Sequence, residues 1–251
     1  MIEISIVIPV YNEAENIINL VLSINNVMQH SIESYEIIVV DDASCDNTLC
    51  VLCDLQKKLS CLRIIHHKSN CGQSTGLYTG ICAAGGTIIV TLDGDGQNDP
   101  ENIPAMIQCF KRNKTNHVEM IAGYRKKRND NALRRFSSKI ANNIRSFLLK
   151  DNTPDTGCGL KIFYKSTFLS LPFFDHMHRF LPALVQRHGG KVISMEVNHL
   201  PRRYGESKYG VWNRLWVGIV DLAGVMWLNR RMKIAIAEEM GRPGSSELES
   251  K

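Results

Sequence analysis

Short apolar runs that end abruptly in polar or acidic residues, each followed by a helical pattern, constrain this chain more than any other feature. Ile4-Ser-Ile-Val-Ile-Pro9 leads into Tyr11, Asn12 and Glu13; Glu36-Ile-Ile-Val-Val ends in Asp41-Asp42; Ile89-Val-Thr-Leu ends in Asp93-Gly-Asp-Gly-Gln97. Asn12 with Glu15 three residues on reads as a capping box. It opens a helix whose apolar positions Ile17, Val21, Ile24 and Met28 share one face. Further units follow: a helix near Asn47 to Leu59, a strand near Leu62 to Ile65, a helix near Gln73 to Ala84 and a strand over Thr87 to Leu92. Asp99 and Pro100 then supply a cap and a first-turn proline for a helix carrying Ile103, Met106, Ile107 and Phe110. Strands alternating with helices in this way predict an α/β fold, a mainly parallel sheet flanked by helices.

In such sheets ligands bind beyond the carboxyl ends of the strands, which is where the acids fall. Asp93 and Asp95, one residue apart on a turn with Gly94 and Gly96, are the arrangement a chain uses to hold a divalent cation; an ordinary Asp-Gly surface turn is the bland alternative. The 251 residues, 44% of them hydrophobic, suffice for one large core, and no linker, internal repeat or low-complexity tract interrupts the first two hundred. The expected organisation is a catalytic domain over 1–210, a helical extension over 211–240 and a disordered tail over 241–251.

Charge is divided unevenly. Residues 1–120 carry 7 Lys and Arg against 14 Asp and Glu, and residues 121–251 carry 23 against 11. An acidic half suited to a metal is thus joined to a basic half suited to phosphates, with Arg125 just after a predicted strand (Met120 to Gly123), then Lys126 to Arg128, Arg134, Arg135, Arg202, Arg203 and Lys208. Nucleic acid is not the expected partner, because base-stacking aromatics are sparse in this stretch and no nucleic-acid motif is present. Eight scattered cysteines fit a reducing compartment, and Cys50-Val-Leu-Cys53, inside a predicted helix, reads as buried thiols. His176, His178, His188 and His199 form no zinc-like array. Met1-Ile2-Glu3 lacks the basic start of a signal peptide, so a cytoplasmic protein is expected.

Six motifs in order identify a resemblance: Ile8-Pro-Val-Tyr-Asn-Glu13, Val39-Val-Asp-Asp-Ala-Ser44 with Asp46, Asn70-Cys-Gly72, Asp93-Gly-Asp-Gly-Gln97, Asp155-Thr-Gly-Cys-Gly159 and Arg202-x-x-Gly205-Glu-Ser-Lys208. The chain resembles the inverting family-2 glycosyltransferases of GT-A fold and, among them, the dolichol-phosphate mannose synthase-like polyprenyl-phosphate sugar transferases, over roughly residues 4–210. The resemblance implies that Pro9, Tyr11, Glu13, Val40, Asp42, Asp93 and Gly94 meet the nucleotide of a nucleotide-diphosphate sugar, and that Asp93, Asp95 and Gln97 surround Mg²⁺ or Mn²⁺. It also implies that Arg125, Arg134, Arg202 and Lys208 bind phosphates, including that of a polyprenyl phosphate acceptor, and that Asp95, Asp155 and Arg125 serve catalysis. Where the family often has a small residue and then a larger one, glycines at 94 and 96 imply a more mobile loop.

An acceptor that is already an anion needs cations to position it, whereas a sugar hydroxyl needs a general base. Asp155, in a Thr-Pro-Asp-Thr-Gly-Cys-Gly loop ahead of a predicted strand (Leu160 to Tyr164), keeps the hydroxyl-acceptor reading open. A non-catalytic nucleotide-sugar-binding regulator is the remaining alternative. Leu215 to Leu228, fourteen residues including Asp221, is too short and too polar to span a membrane; with Trp212, Trp216 and Trp227 and flanking Arg214, Arg230, Arg231 and Lys233 it reads as an amphipathic interfacial helix. That places the chain peripherally on the cytoplasmic face of a membrane. Packing on the catalytic domain, on a second copy or on a membrane protein is the competing use of this helix.

Overall fold

The computed structural model describes residues 2–31, 33–125, 145–149, 151–201 and 211–231, with only the backbone of 211–216. The apolar runs become β1 (Ile4–Val10), β2 (Tyr35–Asp41), β3 (Leu62–His66) and β4 (Ile88–Thr91), separated by α1 (Ala14–Met28), α2 (Thr48–Gln56) and α3 (Gln73–Ala83). A 3₁₀ turn at Pro100–Asn102 leads into α4 (Ile103–Arg112) and β5 (Val118–Arg125). A helical stretch at 145–149, α5, precedes β6 (Lys161–Tyr164), α6 (Lys165–Ser170), α7 (Leu181–Arg187), β7 (Lys191–Val197) and α8 (Val211–Arg231).

The seven strands form one sheet in the order β3-β2-β1-β4-β6-β5-β7. β1 pairs in parallel with β2 and β4, β2 with β3, and β5 with β7, whereas β6 runs antiparallel to both of its neighbours. Along β1, Ile4, Ile6 and Ile8 enter one core with α1, α2 and α4, and Val7 enters a second core with α3 and α7. A strand covered on both faces has no reason to alternate apolar with polar, which is why these segments read as continuous apolar runs. Each fully buried Val or Ile contributes about 1.5–3 kcal/mol.

The helix starts differ from the expected capping box. Asn12 sits at φ 53° and its Oδ1 accepts from Cys45 N at 2.7 Å, so its side chain leaves α1 and braces the loop after β2. The N-terminus of α1 is satisfied from that loop instead: Glu13 N donates to Thr48 Oγ1 at 2.9 Å and Ala14 N to Asp46 Oδ2 at 3.3 Å. Asp46 Oδ1 also accepts from Thr48 N at 2.9 Å, so one carboxylate serves two helix starts. Asp99 caps as expected, accepting from Glu101 N at 3.1 Å, with Pro100 opening the turn. On α2, Leu52 and Leu55 face the core and Cys50 and Cys53 lie exposed, contrary to the expectation of buried thiols. The i, i+3 spacing that made the cysteines neighbours also puts both on the face away from the leucines.

Candidate active site

The pairing fixes the site. Val10 aligns with Asp41, Val7 with Thr91, and Thr91 and Ala122 both align with Lys161, so β1, β2, β4 and β5 end, and β6 begins, along one edge. The loops bearing Asp42, Asp93, Asp95, Arg125 and Asp155 leave from that edge.

Asp93, like Asp95, is half-buried. Its Oδ1 accepts from Gln73 Nε2 at 2.8 Å, and burial together with the neighbouring Asp95 charge pushes its carboxyl up to about 6. Its loop is tightly seated: Asp93 N donates to Asn98 Oδ1 at 3.0 Å and Gln97 N to Asp95 Oδ1 at 3.1 Å, and Leu200 N donates to Gln97 O at 2.9 Å. Gln97 Nε2 lies 3.5 Å from His199 Nε2. Gly96, at φ +71°, supplies the left-handed turn, but Gly94 is needed for a different reason: a Cβ there would lie 2.6 Å from Val10 Cγ1. Close approach to β1, more than looseness, explains that glycine.

Arg125, the last residue of β5, grips Asp155 with two bonds, Nε to Oδ2 at 2.7 Å and Nη2 to Oδ1 at 3.0 Å; Gly157 N also donates to Oδ1 at 3.1 Å. Burial acts against the Arg125 charge, and Asp155 outweighs it, so the guanidinium is held above its ordinary range. Two residues to which the sequence reading gave no role shape this corner. A Cβ on Gly159 would fall 2.4 Å from the Asp93 carboxylate, so only glycine leaves that carboxylate its place. Lys161 is buried, donates through Nζ to the carbonyls of Cys158 and Thr156, and has its pKa lowered by burial against the opposing pull of Asp93 and Asp155. Behind them Arg145 Nη2 donates to Thr153 O at 2.7 Å, and Arg145 Nη1 lies 3.1 Å from Asp151 Oδ2, so the 151–161 segment is braced from within by cations.

The expected nucleotide residues fall on the neighbouring strand ends. Tyr11 is exposed on the loop after β1, while Pro9 packs against α3, where a Cβ on Gly76 would meet Pro9 Cβ at 3.0 Å. Glu13 Oε2 accepts from Asn16 Nδ2 at 2.7 Å. The Val40 side chain is wholly buried in the core beneath α3, so only its backbone borders the edge. Asp42 accepts from Cys71 N at 2.9 Å and Gly72 N at 2.7 Å and lies 2.7 Å from His67 Nδ1, which ties the 70–72 loop to β2. Cys158 is buried and its thiol is pushed up by burial, which removes it as a nucleophile. Arg134, Arg202, Lys208 and Lys126 to Arg128 lie outside the described residues, as does the tail 241–251.

Comparison with known proteins agrees with this geometry. The family model Glycosyl transferase family 2 matches residues 5–170. Dodecaprenyl-phosphate galacturonate synthase of Rhizobium johnstonii is 35% identical over 236 residues, covering 91% of this chain and 68% of that protein. The undecaprenyl-phosphate 4-deoxy-4-formamido-L-arabinose transferase of Serratia proteamaculans is 29% identical over 210 residues, covering 83% and 63%. The chain therefore spans about two thirds of the length of these relatives. Among solved structures, the mannosyltransferase PcManGT of Pyrobaculum calidifontis, in complex with GDP-Man and Mn²⁺, superposes with a TM-score of 0.68 at 18% identity, covering 93% of this chain and 66% of that one. Glucosyl-3-phosphoglycerate synthase of Mycobacterium tuberculosis, in complex with Mn²⁺, UDP-glucose and glycerol 3-phosphate, gives 0.63 at 15% identity, covering 90% and 79%. These two share the GT-A fold with it. With the acids of β2 and β4 at one sheet edge and the family pattern running through both, the chain belongs to glycosyl transferase family 2.

Proposed function

We propose that this chain transfers a sugar from a nucleotide-diphosphate sugar to a polyprenyl phosphate, inverting the anomeric centre in one displacement. The observation that carries the choice of acceptor is the Arg125–Asp155 pair. Both oxygens of Asp155 are held by one guanidinium, at 2.7 and 3.0 Å. A carboxylate bound on both oxygens is a weak proton acceptor, which disfavours Asp155 as the base that a hydroxyl acceptor requires. An acceptor phosphate arrives as an anion and needs no base, and the names of the two polyprenyl-phosphate relatives support that class of acceptor.

The residues at the end of β4 fit a hard divalent cation. Asp93, Asp95 and the Gln97 carboxamide offer oxygen donors, and two carboxylates one residue apart bring the negative charge that such an ion would offset. Mg²⁺ or Mn²⁺ bound there supplies stabilisation of the charge that develops on the leaving diphosphate. The chain's own groups do the rest. Gln73 and Gly159 hold Asp93 in place, Asp42 fixes the loop along the nucleotide side, and Asp155 orients Arg125 toward anionic substrate groups. Electrostatic groups set in advance by such contacts cost no reorganisation during reaction.

Action at the cytoplasmic face of a membrane, as a peripheral protein, fits the acceptor. Among the described residues no helix is long and apolar enough to cross a membrane. On α8, Leu222, Val225 and Met226 pack on the second core, and Asp221 Oδ2 lies 3.1 Å from His176 Nδ1. Val217, Ile219, Val220 and Trp227 stay exposed, so the outward side is itself apolar, as a helix seated in a lipid interface would be. Trp212 and Trp216, whose side chains are outside the described set, extend that segment in sequence.

The test is Asp95→Asn, assayed with Mn²⁺ across UDP- and GDP-sugars. Transfer should fall at least about 100-fold, the scale of one preorganised electrostatic group, at unchanged thermal stability without metal. Normal transfer by a folded Asp95→Asn protein would contradict the reading.

A further inference from the structure

Along the same edge, after β2, a second cluster of ligand atoms converges. Asp42, His67 and Cys71 each bring one metal-binding atom into a group whose members lie within 4.8 Å of one another. We propose that these three residues form a binding site for a thiophilic divalent ion of the Zn²⁺ class, and that its occupation excludes the nucleotide donor. The first half is independent of the proposed function; the second rests on it, through Asp42.

The donor set separates this site from the first. Carboxylates and a carboxamide suit Mg²⁺ or Mn²⁺, whereas a thiolate, an imidazole and one carboxylate suit Zn²⁺ and are poor ligands for Mg²⁺. The scaffold is largely assembled. Asp42 is buried, the His67 side chain is 13% exposed, and Cys71 lies open to solvent, which gives the ion an entrance. The backbone of Cys71 is pinned by its own N–H to Asp42 Oδ1 at 2.9 Å, so the thiol is carried by a loop that the carboxylate already holds. Tetrahedral Zn²⁺ sets its ligand atoms about 3.3–3.6 Å apart. Reaching that spacing requires an exposed Cys71 side chain to leave Ser69 O, 3.3 Å away, and His67 Nδ1 to open slightly from its 2.7 Å contact with Asp42.

His67 has its outer-sphere partner in place. Nε2 lies 3.0 Å from Thr79 Oγ1, which can accept a ring proton from Nε2 and so leave Nδ1 with its lone pair toward the ion. The proton balance is explicit: without metal the 2.7 Å contact to Asp42 puts the imidazole proton on Nδ1, and on binding that proton is lost to solvent while Nε2 takes one up and donates it to Thr79 Oγ1; the Cys71 thiol proton also goes to solvent, and water fills the fourth position. With Asp42 drawn to the ion and the 70–72 loop clamped, the nucleotide loses its acidic contact on β2.

Co²⁺ is the probe that reports a thiolate ligand directly, and it is added to the full chain with no nucleotide present. The wild type should show a near-ultraviolet thiolate-to-cobalt charge-transfer band saturating at one equivalent and abolished by Zn²⁺. Cys71→Ser should lose the band, Thr79→Val should weaken binding about 10-fold or more, and the Cys50→Ser/Cys53→Ser double variant should retain it. Co²⁺ at the Asp93 and Asp95 carboxylates gives no such band, so the two sites read out separately. No band in the wild type, or an undiminished band in Cys71→Ser, overturns the site. In a second arm Zn²⁺ should weaken binding of a UDP- or GDP-sugar in the wild type and far less in Cys71→Ser. Equal weakening in both proteins overturns the exclusion while leaving the cobalt result to stand on its own.

Discussion

At the scale of single residues, Gly159 makes the sharpest demand. A methyl group 2.4 Å from the Asp93 carboxylate must displace it, so Gly159→Ala should lower transfer at least about 100-fold while costing about 1–3 kcal/mol of stability, the range for overpacking a filled site. Loss of Mn²⁺-dependent thermal protection in the folded variant would confirm that the carboxylate had moved; retained activity would show that the loop yields. Nothing local in the sequence announces this role, because glycine in an Asp-Thr-Gly-Cys-Gly loop looks like any turn former. Lys161 is equally silent, being one lysine among many until β6 slots between β4 and β5 and buries it beside Asp93. The acids themselves were legible, since an apolar run that stops at a carboxylate marks a strand end where ligands bind.

At the scale of elements, buried strands could be read directly, and of the two caps the sequence suggests Asp99 forms as expected whereas Asn12 does not. Asn12 and Glu15 satisfy the capping-box spacing, yet a carboxylate from another loop, Asp46, sits nearer the free N–H groups and takes the position. Asp46→Ala should therefore cost about 1–2 kcal/mol, more than Asn12→Ala removes through capping of α1, as read by urea denaturation of both variants. The antiparallel direction of β6 also left no trace in its composition. At the opposite end of the sheet from the site, Glu36 is buried and accepts from Ser5 Oγ at 2.6 Å, Gly85 N at 2.6 Å and Arg63 Nη1 at 2.5 Å. Burial raises its pKa, but these donors outweigh burial and hold the carboxyl below its usual 4.5. A depressed acid contributes stability that is present above about pH 4.5 and is lost as pH falls through the folded value. Glu36→Ala should cost about 2–4 kcal/mol at pH 7, chiefly by leaving the Ser5 hydroxyl and Gly85 N–H unpaired, and should flatten the acid limb of the stability curve. An unchanged acid limb would mean that other carboxylates set it.

At the scale of the whole molecule, one edge of the sheet gathers donor-side acids, a held guanidinium and a buried lysine, and α8 adds a helix with apolar residues on both sides. Its hydrophobicity was plain in the sequence, but which residues face the core was not, because no polar face sets the phase. Trp227→Ala, on the exposed side, should reduce sedimentation with anionic liposomes severalfold in a salt-sensitive manner and leave donor binding unchanged. Equal sedimentation would assign that side to a protein contact. The central claim concerns the acceptor: the chain moves a sugar onto a phosphate anion that needs no base. The most direct measurement gives the enzyme, with Mn²⁺ and the matching nucleotide sugar, either a polyprenyl phosphate or the corresponding free polyprenyl alcohol at equal concentration in the same detergent. Transfer to the phosphate with none to the alcohol is the predicted result, and transfer to the alcohol at a comparable rate would contradict it.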